Sequence, residues 1–302
     1  MNRYKKYFTV LITVLLIAGC DKPNPTLLEP DLIDNDQVEI EVLTSDHESG
    51  ISKGMDSTGT VEELTRFTNY IGVSGIKLTD NSFTTKISIA QAIFFDRTDP
   101  IRDLNNKLIG FRARILGEVL FNDVPANVIQ LRVRIKDRHI VRDTLIGFQH
   151  LLYNGRGNHT DPFEFVYNSS INFKFNPFLG TPGSFDIPTP PEITGNIVIN
   201  RSNPNNKLQA LLSWNNSSAE NIEIVIGAHK RIGNTTIPLY RIKTLDDGKL
   251  IIPPHLLNSI PVDRFGKIVI SLIRKYEGQD NSGDSELFVR SQSIHSIVVD
   301  IP

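Results

Sequence analysis

Ile129-Gln130-Leu131-Arg132-Val133-Arg134-Ile135-Lys136 alternates apolar and polar side chains without a break. A period of two sends the four aliphatic residues to one face of an extended chain and Gln130, Arg132, Arg134 and Lys136 to the other. That is the pattern of a half-buried antiparallel strand. The same period recurs outward from it: Val38, Ile40 and Val42 alternate with Glu39 and Glu41, and Phe83, Ile87, Ile89, Ile93 and Phe95 with mostly polar neighbours. Phe111, Ala113, Ile115, Val119 and Phe121 follow suit, with Gly117 read as a bulge. Phe163, Phe165 and Tyr167 are separated from Ile171, Phe173 and Phe175 by the turn residues Asn168-Ser169-Ser170.

One helix is expected. Thr60 and Glu63 form a capping box, and Leu64, Phe67 and Ile71 follow at helical spacing. Residues 45–59 read as a loop, and Gly72-Val73-Ser74-Gly75 as a turn. Residues 176–191 hold Pro177, Pro182, Pro188, Pro190 and Pro191 with Gly180 and Gly183, too much proline for the interior of a sheet. This is the expected boundary between two domains, 37–175 and 192–302.

Beyond it, strands are expected at Ile193–Ile199, Leu208–Trp214, Ile222–Ala228, Pro238–Lys243, Lys249–Ile252, Ile268–Arg274, Glu286–Arg290 and Ile294–Ile301. Seven or eight short strands in about 110 residues is the count of an immunoglobulin-like sandwich. This domain resembles fibronectin type III-like and related immunoglobulin-like modules: Pro190-Pro191 opens it, and Leu212-Ser213-Trp214 matches the Leu-x-Trp of their second strand. The resemblance implies an indole at the centre of the core. At Ile268–Leu272 the chain departs from the family, which carries there a tyrosine whose hydroxyl pins a corner. The fold expected overall is all-β: two antiparallel β-sandwich (immunoglobulin-like) domains with at most one short helix.

The chain has 302 residues, 39% of them hydrophobic and 22% charged, so it is neither disordered throughout nor a polytopic membrane protein. With 32 basic against 34 acidic residues it lacks the surplus that non-specific nucleic-acid binding requires. A single cysteine closes no intrachain disulfide and builds no cysteine zinc site.

That cysteine has a special place. Arg3, Lys5 and Lys6 form a cationic head, Phe8–Gly19 is an apolar run too short to span a bilayer, and Ala18 and Gly19 are small residues before Cys20. Ile17-Ala18-Gly19-Cys20 resembles the lipobox of bacterial lipoproteins. The resemblance implies removal of residues 1–19, a diacylglycerol thioether on Cys20 and an acyl chain such as palmitate on its new amino group. One acyl chain holds a protein marginally and two hold it stably. The alternatives are an uncleaved signal anchor or a secretory peptide with a chance cysteine. Cleavage takes three cations and no acid, leaving 29 basic against 34 acidic residues and shifting the net charge from −2 to −5. Residues 20–36, with three prolines and five acids against one lysine, read as a tether of up to about 50 Å.

Chemistry is sparse. The histidines (His47, His139, His150, His159, His229, His255 and His295) form no H-E-x-x-H or H-x-H pair, so no metal site is expected from them. Asp96–Asp103 alternates charge and offers either an ion site or a loop of mutual ion pairs. Asn154–Asp161 supplies Arg156, His159 and Asp161 for a binding loop, or simply a hairpin connection. Asp280, Asp284 and Glu286 have calcium-like oxygens without the EF-hand glycine position, so a plain acidic tip is the alternative. Arg132, Arg134, Lys136 and Arg138 form either a solvated face or an anion patch.

The function expected is a non-catalytic interaction or structural module, without cofactor, anchored to a membrane of the bacterial cell envelope by Cys20. Its partner is an envelope protein or polysaccharide and not a nucleic acid. A glycan-binding alternative requires a row of exposed aromatics on one face. An enzyme requires His139 or His159 to meet two acids in a cleft.

Overall fold

A computed structural model describes residues 38–43, 51–52, 69–81, 83–102, 106, 108–137, 140–155, 160–202, 207–217, 221–232, 236–280 and 287–302. The first half contributes β1 (Glu39–Val42), β2 (Ile51–Ser52), β3 (Asn69–Asp80), β4 (Phe83–Arg102), β5 (Leu108–Arg114) and β6 (Gly117–Phe121). It continues with β7 (Val124–Pro125), β8 (Asn127–Asp137), β9 (Ile140–Asn154), β10 (Ser170–Pro177) and β11 (Gly183–Pro188). The second half adds β12 (Gly195–Ser202), β13 (Lys207–Trp214), β14 (Asn221–Lys230), β15 (Thr236–Leu245) and β16 (Lys249–Ile252). A short helix α1 (Pro254–Asn258) precedes β17 (Phe265–Asp280) and β18 (Leu287–Asp300). The protein is all-β, with antiparallel sheets apart from the parallel β18–β3 pair and a single parallel bridge between β5 and β9.

One eleven-stranded sheet runs β1-β15-β14-β17-β18-β3-β4-β5-β9-β8-β2 through both halves. Two small sheets lie on one of its faces. Sheet β11-β10-β6-β7 encloses a core with Ile71, Val73, Phe94, Phe121, Phe163 and Phe173. Sheet β12-β13-β16 encloses a second core with Leu212, Trp214, Ile224, Ile226, Ile270 and Leu272.

Strand β18 serves both cores. Its inward residues Leu287 and Val289 pack into the first core, and Ile297 and Val299 into the second. Between them Ser291, Ser293 and His295 form a polar seam. Ser293 Oγ accepts from Ile193 N at 2.9 Å, and His295 Nδ1 from Gly195 N at 2.8 Å. The separate strands expected at 286–290 and 294–301 are therefore one, and the polar triplet between them, Ser291-Gln292-Ser293, marks the junction of two cores.

The large sheet must also curl. Strands β1 and β2 occupy its opposite edges, nine or ten inter-strand steps apart, which is more than about 40 Å of arc. Yet Val42 and Ile51 are only nine residues apart, a reach of about 32 Å at full extension. Curling lets the second face bury side chains too: Tyr70, Ile93, Phe95 and Leu131 form one cluster there, and Ile76, Val225, Ile273 and Ile294 another, with Leu43 against it.

Other expectations are corrected. Ile71 is not helical but lies in β3, and so does Gly72-Val73-Ser74-Gly75; Thr60, Glu63, Leu64 and Phe67 lie outside the described residues. Gly117 is not a bulge in a continuous strand. It starts β6 in a different sheet from β5, and a Cβ there would stand 2.2 Å from Asn176 O. Phe163, Phe165 and Tyr167 form no ladder. Side chains hold that segment instead, with Ser88 Oγ accepting from Phe165 N at 3.0 Å and Asn154 Nδ2 donating to Phe163 O at 3.0 Å. Within 176–191, Gly183–Pro188 does enter a sheet, as an edge strand with proline at its end, the place where proline breaks no ladder bond. Ile129 is 36% exposed although Leu131 beside it is buried.

Candidate binding cleft

Most of the charged segments singled out above serve the fold. Asp96–Arg102 belongs to β4, where the register jumps from Asp96 to Pro100. Arg114 reaches Asp96 at 3.4 Å and Asp99 at 2.6 Å, and Arg112 reaches Asp99 at 3.0 Å: mutual ion pairs. The Thr98 hydroxyl and N–H, helped by Arg114, hold the Asp96 carboxyl below its ordinary range. Asp161 accepts from Tyr153 N and from Asn127 Nδ2, both at 2.8 Å, and so fastens the connection after β9. Arg132 is exposed and bonds Gln130, as a solvated face requires. Arg156, His159, Arg138, His139, Asp284 and Glu286 lie outside the described residues, as do Ile17, Ala18, Gly19 and Cys20. Among the described residues no group of three or more histidine or acidic side chains could hold a metal, and no helix is long and apolar enough to cross a membrane.

Trp214 is core, 7% exposed, and its Nε1 donates to Asp246 Oδ1 at 2.8 Å. Asp246 in turn takes two bonds from Arg274, at 2.7 and 2.9 Å, and one from Ser217 Oγ at 2.7 Å. Arg274 also donates to the carbonyls of Glu192 and Asn215. Burial pushes the Asp246 carboxyl up, but the bonds from Arg274, Ser217 and Trp214 outweigh it and hold the group below its usual value. The cluster ties β17 to the entry of the second half. A signal for it exists in the sequence: Arg274 falls on the inward phase of Ile268, Ile270 and Leu272, where a charge requires a buried partner.

The first sandwich carries a concavity on its open side. A cleft of about 780 Å³ opens where the small sheet stops at β11 while the large sheet continues beneath it to β17. Its floor is Ile71, Leu287, Val289 and Tyr276, its wall is β11, and Phe94, Phe173 and Phe175 close its depth. Polar groups on its lining include Asn69, Ser184, Asp186, Glu277 and Ser291. Ser291 is 1% exposed, and its hydroxyl has no partner among the described residues. Phe185 (36%) and Tyr276 (40%) are the half-exposed aromatics of this lining. Residues 69, 183–188, 276–278 and 287–291 come from four distant segments, so no local motif announces the site.

No protein-family model, curated protein or solved structure matches this chain.

Proposed function

We propose that the protein is a bacterial envelope lipoprotein, held on a membrane by acylated Cys20, that acts as a non-catalytic interaction module. The anchor reading rests on the cationic head, the 12-residue apolar run and Ile17-Ala18-Gly19-Cys20. Metabolic labelling with a fatty-acid analogue is expected to mark the wild type and miss Cys20→Ala; equal labelling of both would end it. The interaction reading rests on one observation: the cleft beside β11 combines an apolar floor with a polar rim, the make-up of a recognition surface. A photo-cross-linking residue at Phe185, in the native envelope, is expected to capture a partner that the same residue at Phe83, outside the cleft lining, does not. Identical products from both positions would overturn it.

A glycan-binding reading draws on Phe185 and Tyr276, which offer two half-exposed rings beside Asp186 and Asn69. It is the second reading because, among the described residues, no row forms on one sheet face: the other exposed rings there, Phe83, Phe148 and Phe178, lie outside the cleft.

A further inference from the structure

We propose that the cleft is a strand-addition site, in which an extended segment of a partner protein pairs with the free edge of β11. Its side chains would alternate between apolar residues facing the floor and a basic residue beside Asp186. The proposal deepens the interaction-module reading and rests on it.

The backbone supplies the first argument. In an antiparallel ladder, residues bond alternately to one neighbour and to the other. Thr189 N donates to Ser169 O at 2.9 Å, and the register pairs Ile187 with Ile171, Phe185 with Phe173 and Gly183 with Phe175. Ile187, Phe185 and Gly183 therefore bond to β10, and the N–H and C=O groups of Ser184 and Asp186 point away from it. Among the described residues β11 ends its sheet, so these four groups face the open side. Pro182 and Pro188 bracket the edge and limit the pairing to about five residues.

The second argument is the floor. A strand added beside β11 lies about 4.8 Å further out, above the inward face of β17 and β18. That face offers Tyr276, Leu287 and Val289, and a Cβ built on Gly278 meets no atom within 4 Å. Every second side chain of an added strand points at this surface. The Ser291 hydroxyl, buried and without a partner among the described residues, gives the deep end a hydrogen-bonding group for the occupant.

Charge fixes the other face. Asp186 and Glu277 are the charged residues of the lining. Glu277 is matched by Arg290 at 2.9 Å and Lys275 at 3.1 Å, whereas among the described residues Asp186 has the amide of Asn172, at 2.8 Å, and no cation. Asp186 stands on the solvent side of β11, opposite in phase to the buried Ile187, so a cross-strand neighbour there meets an unmatched negative charge.

The test uses the full-length protein and fluorescein-labelled heptapeptides. One alternates valine and lysine, a second valine and glutamate, and a third repeats the first with N-methylated backbone amides. In anisotropy titrations the valine–lysine peptide is expected to bind, with at least tenfold weakening by N-methylation or by Ser184→Pro, which deletes an outward N–H. Asp186→Lys is expected to reverse the preference in favour of the valine–glutamate peptide. Binding that tolerates both N-methylation and Ser184→Pro would overturn strand addition, as would failure of all three peptides. Binding of chitohexaose with no peptide binding would overturn it in favour of a glycan site. Where every peptide fails yet cross-linking from Phe185 still captures a partner, strand addition falls and the interaction-module reading stands.

Discussion

In the second sandwich the inward-facing charge, Arg274, is 1% exposed and meets Asp246, Trp214's partner, in a network that also satisfies two backbone carbonyls. In the first sandwich the buried polar side chains include His150, whose two ring nitrogens lack partners among the described residues, and Ser291 beside the cleft. The two cores share one sheet, and even one strand, yet one is closed around a satisfied polar network and the other has an unfinished side. A network that is fully bonded fixes a core, while unpaired groups are where an occupant or a replacement changes the free energy.

The largest effect is expected from opening the closed side. Asp246→Ala leaves Arg274 buried without its counter-charge and strips Trp214 Nε1 of its acceptor, a loss of about 3–5 kcal/mol in urea unfolding. The double replacement Arg274→Met with Asp246→Leu removes both charges and is expected to recover most of that loss. A single-variant cost below about 1 kcal/mol would show that the pair does not seal this core. Because the folded Asp246 carboxyl titrates below its ordinary value, its contribution is complete above about pH 4 and declines as the pH falls below that.

The seam between the sandwiches titrates higher. His295 is 3% exposed, accepts from Gly195 N through Nδ1, and therefore carries its proton on Nε2, which lies 3.0 Å from Thr79 Oγ1. Burial, with Lys77 nearby, lowers its pKa to about 4. The unfolded chain protonates near pH 6.5 and the folded one does not, so stability is full above pH 6.5 and falls as the pH drops towards 4. The total is roughly 3 kcal/mol, saturating below 4 where both states are charged. Urea midpoints of wild type and His295→Gln, compared from pH 7 to 4, isolate this term. Parallel curves would remove His295 as the acid-sensitive element of the seam.

How legible these features were in the sequence follows the same division. Strand β13 lies over the second core with its other face in solvent, so Lys207–Trp214 alternates exposed and buried at every residue, and Leu208–Trp214 was readable in advance. In β14 and β3 the large sheet is covered on both faces: Ile222–Ala228 and Tyr70–Ile76 are buried without a break. Two-sided burial erases the period of two, which is how Ile71 passes for a helical residue and Gly72–Gly75 for a turn. Polar residues at the core junction, Ser291-Gln292-Ser293, imitate a break for a related reason: Gln292 accepts from Ser74 Oγ and Ser293 Oγ from Ile193 N, partners far along the chain, while Ser291 lines the cleft. The cleft was illegible because its parts meet only through the β18–β3 pairing and the entry of a proline-bounded segment as β11.

Against the bonded His295, the unbonded His150 is expected to respond in the opposite direction. It is 1% exposed and stands edge-on to Phe94 with ring centroids 6.1 Å apart, and burial lowers its pKa. A buried polar group without a partner costs about 1–3 kcal/mol. His150→Leu removes that cost and is expected to raise stability by about 1 kcal/mol at neutral pH and by more in acid. A loss of 2 kcal/mol or more in the same measurement would mean that the imidazole is bonded in solution and that the first core is as complete as the second.

The smallest effect separates edge from centre within a single small sheet. Ser184 lies in β11 with its N–H pointing out of the sheet, so Ser184→Pro deletes no ladder bond and is expected to shift stability by less than about 0.5 kcal/mol. Lys174 lies in β10, paired to β11 on one side and β6 on the other, so its N–H belongs to a ladder whichever way it points. Lys174→Pro is expected to cost about 3 kcal/mol, since proline both removes the donor and fixes φ. The ion pair of Lys174 with Asp123 is too exposed to account for that difference. Equal costs at the two positions would mean that β11 is already paired on its outer side, and the open flank of the first sandwich would then be closed in solution.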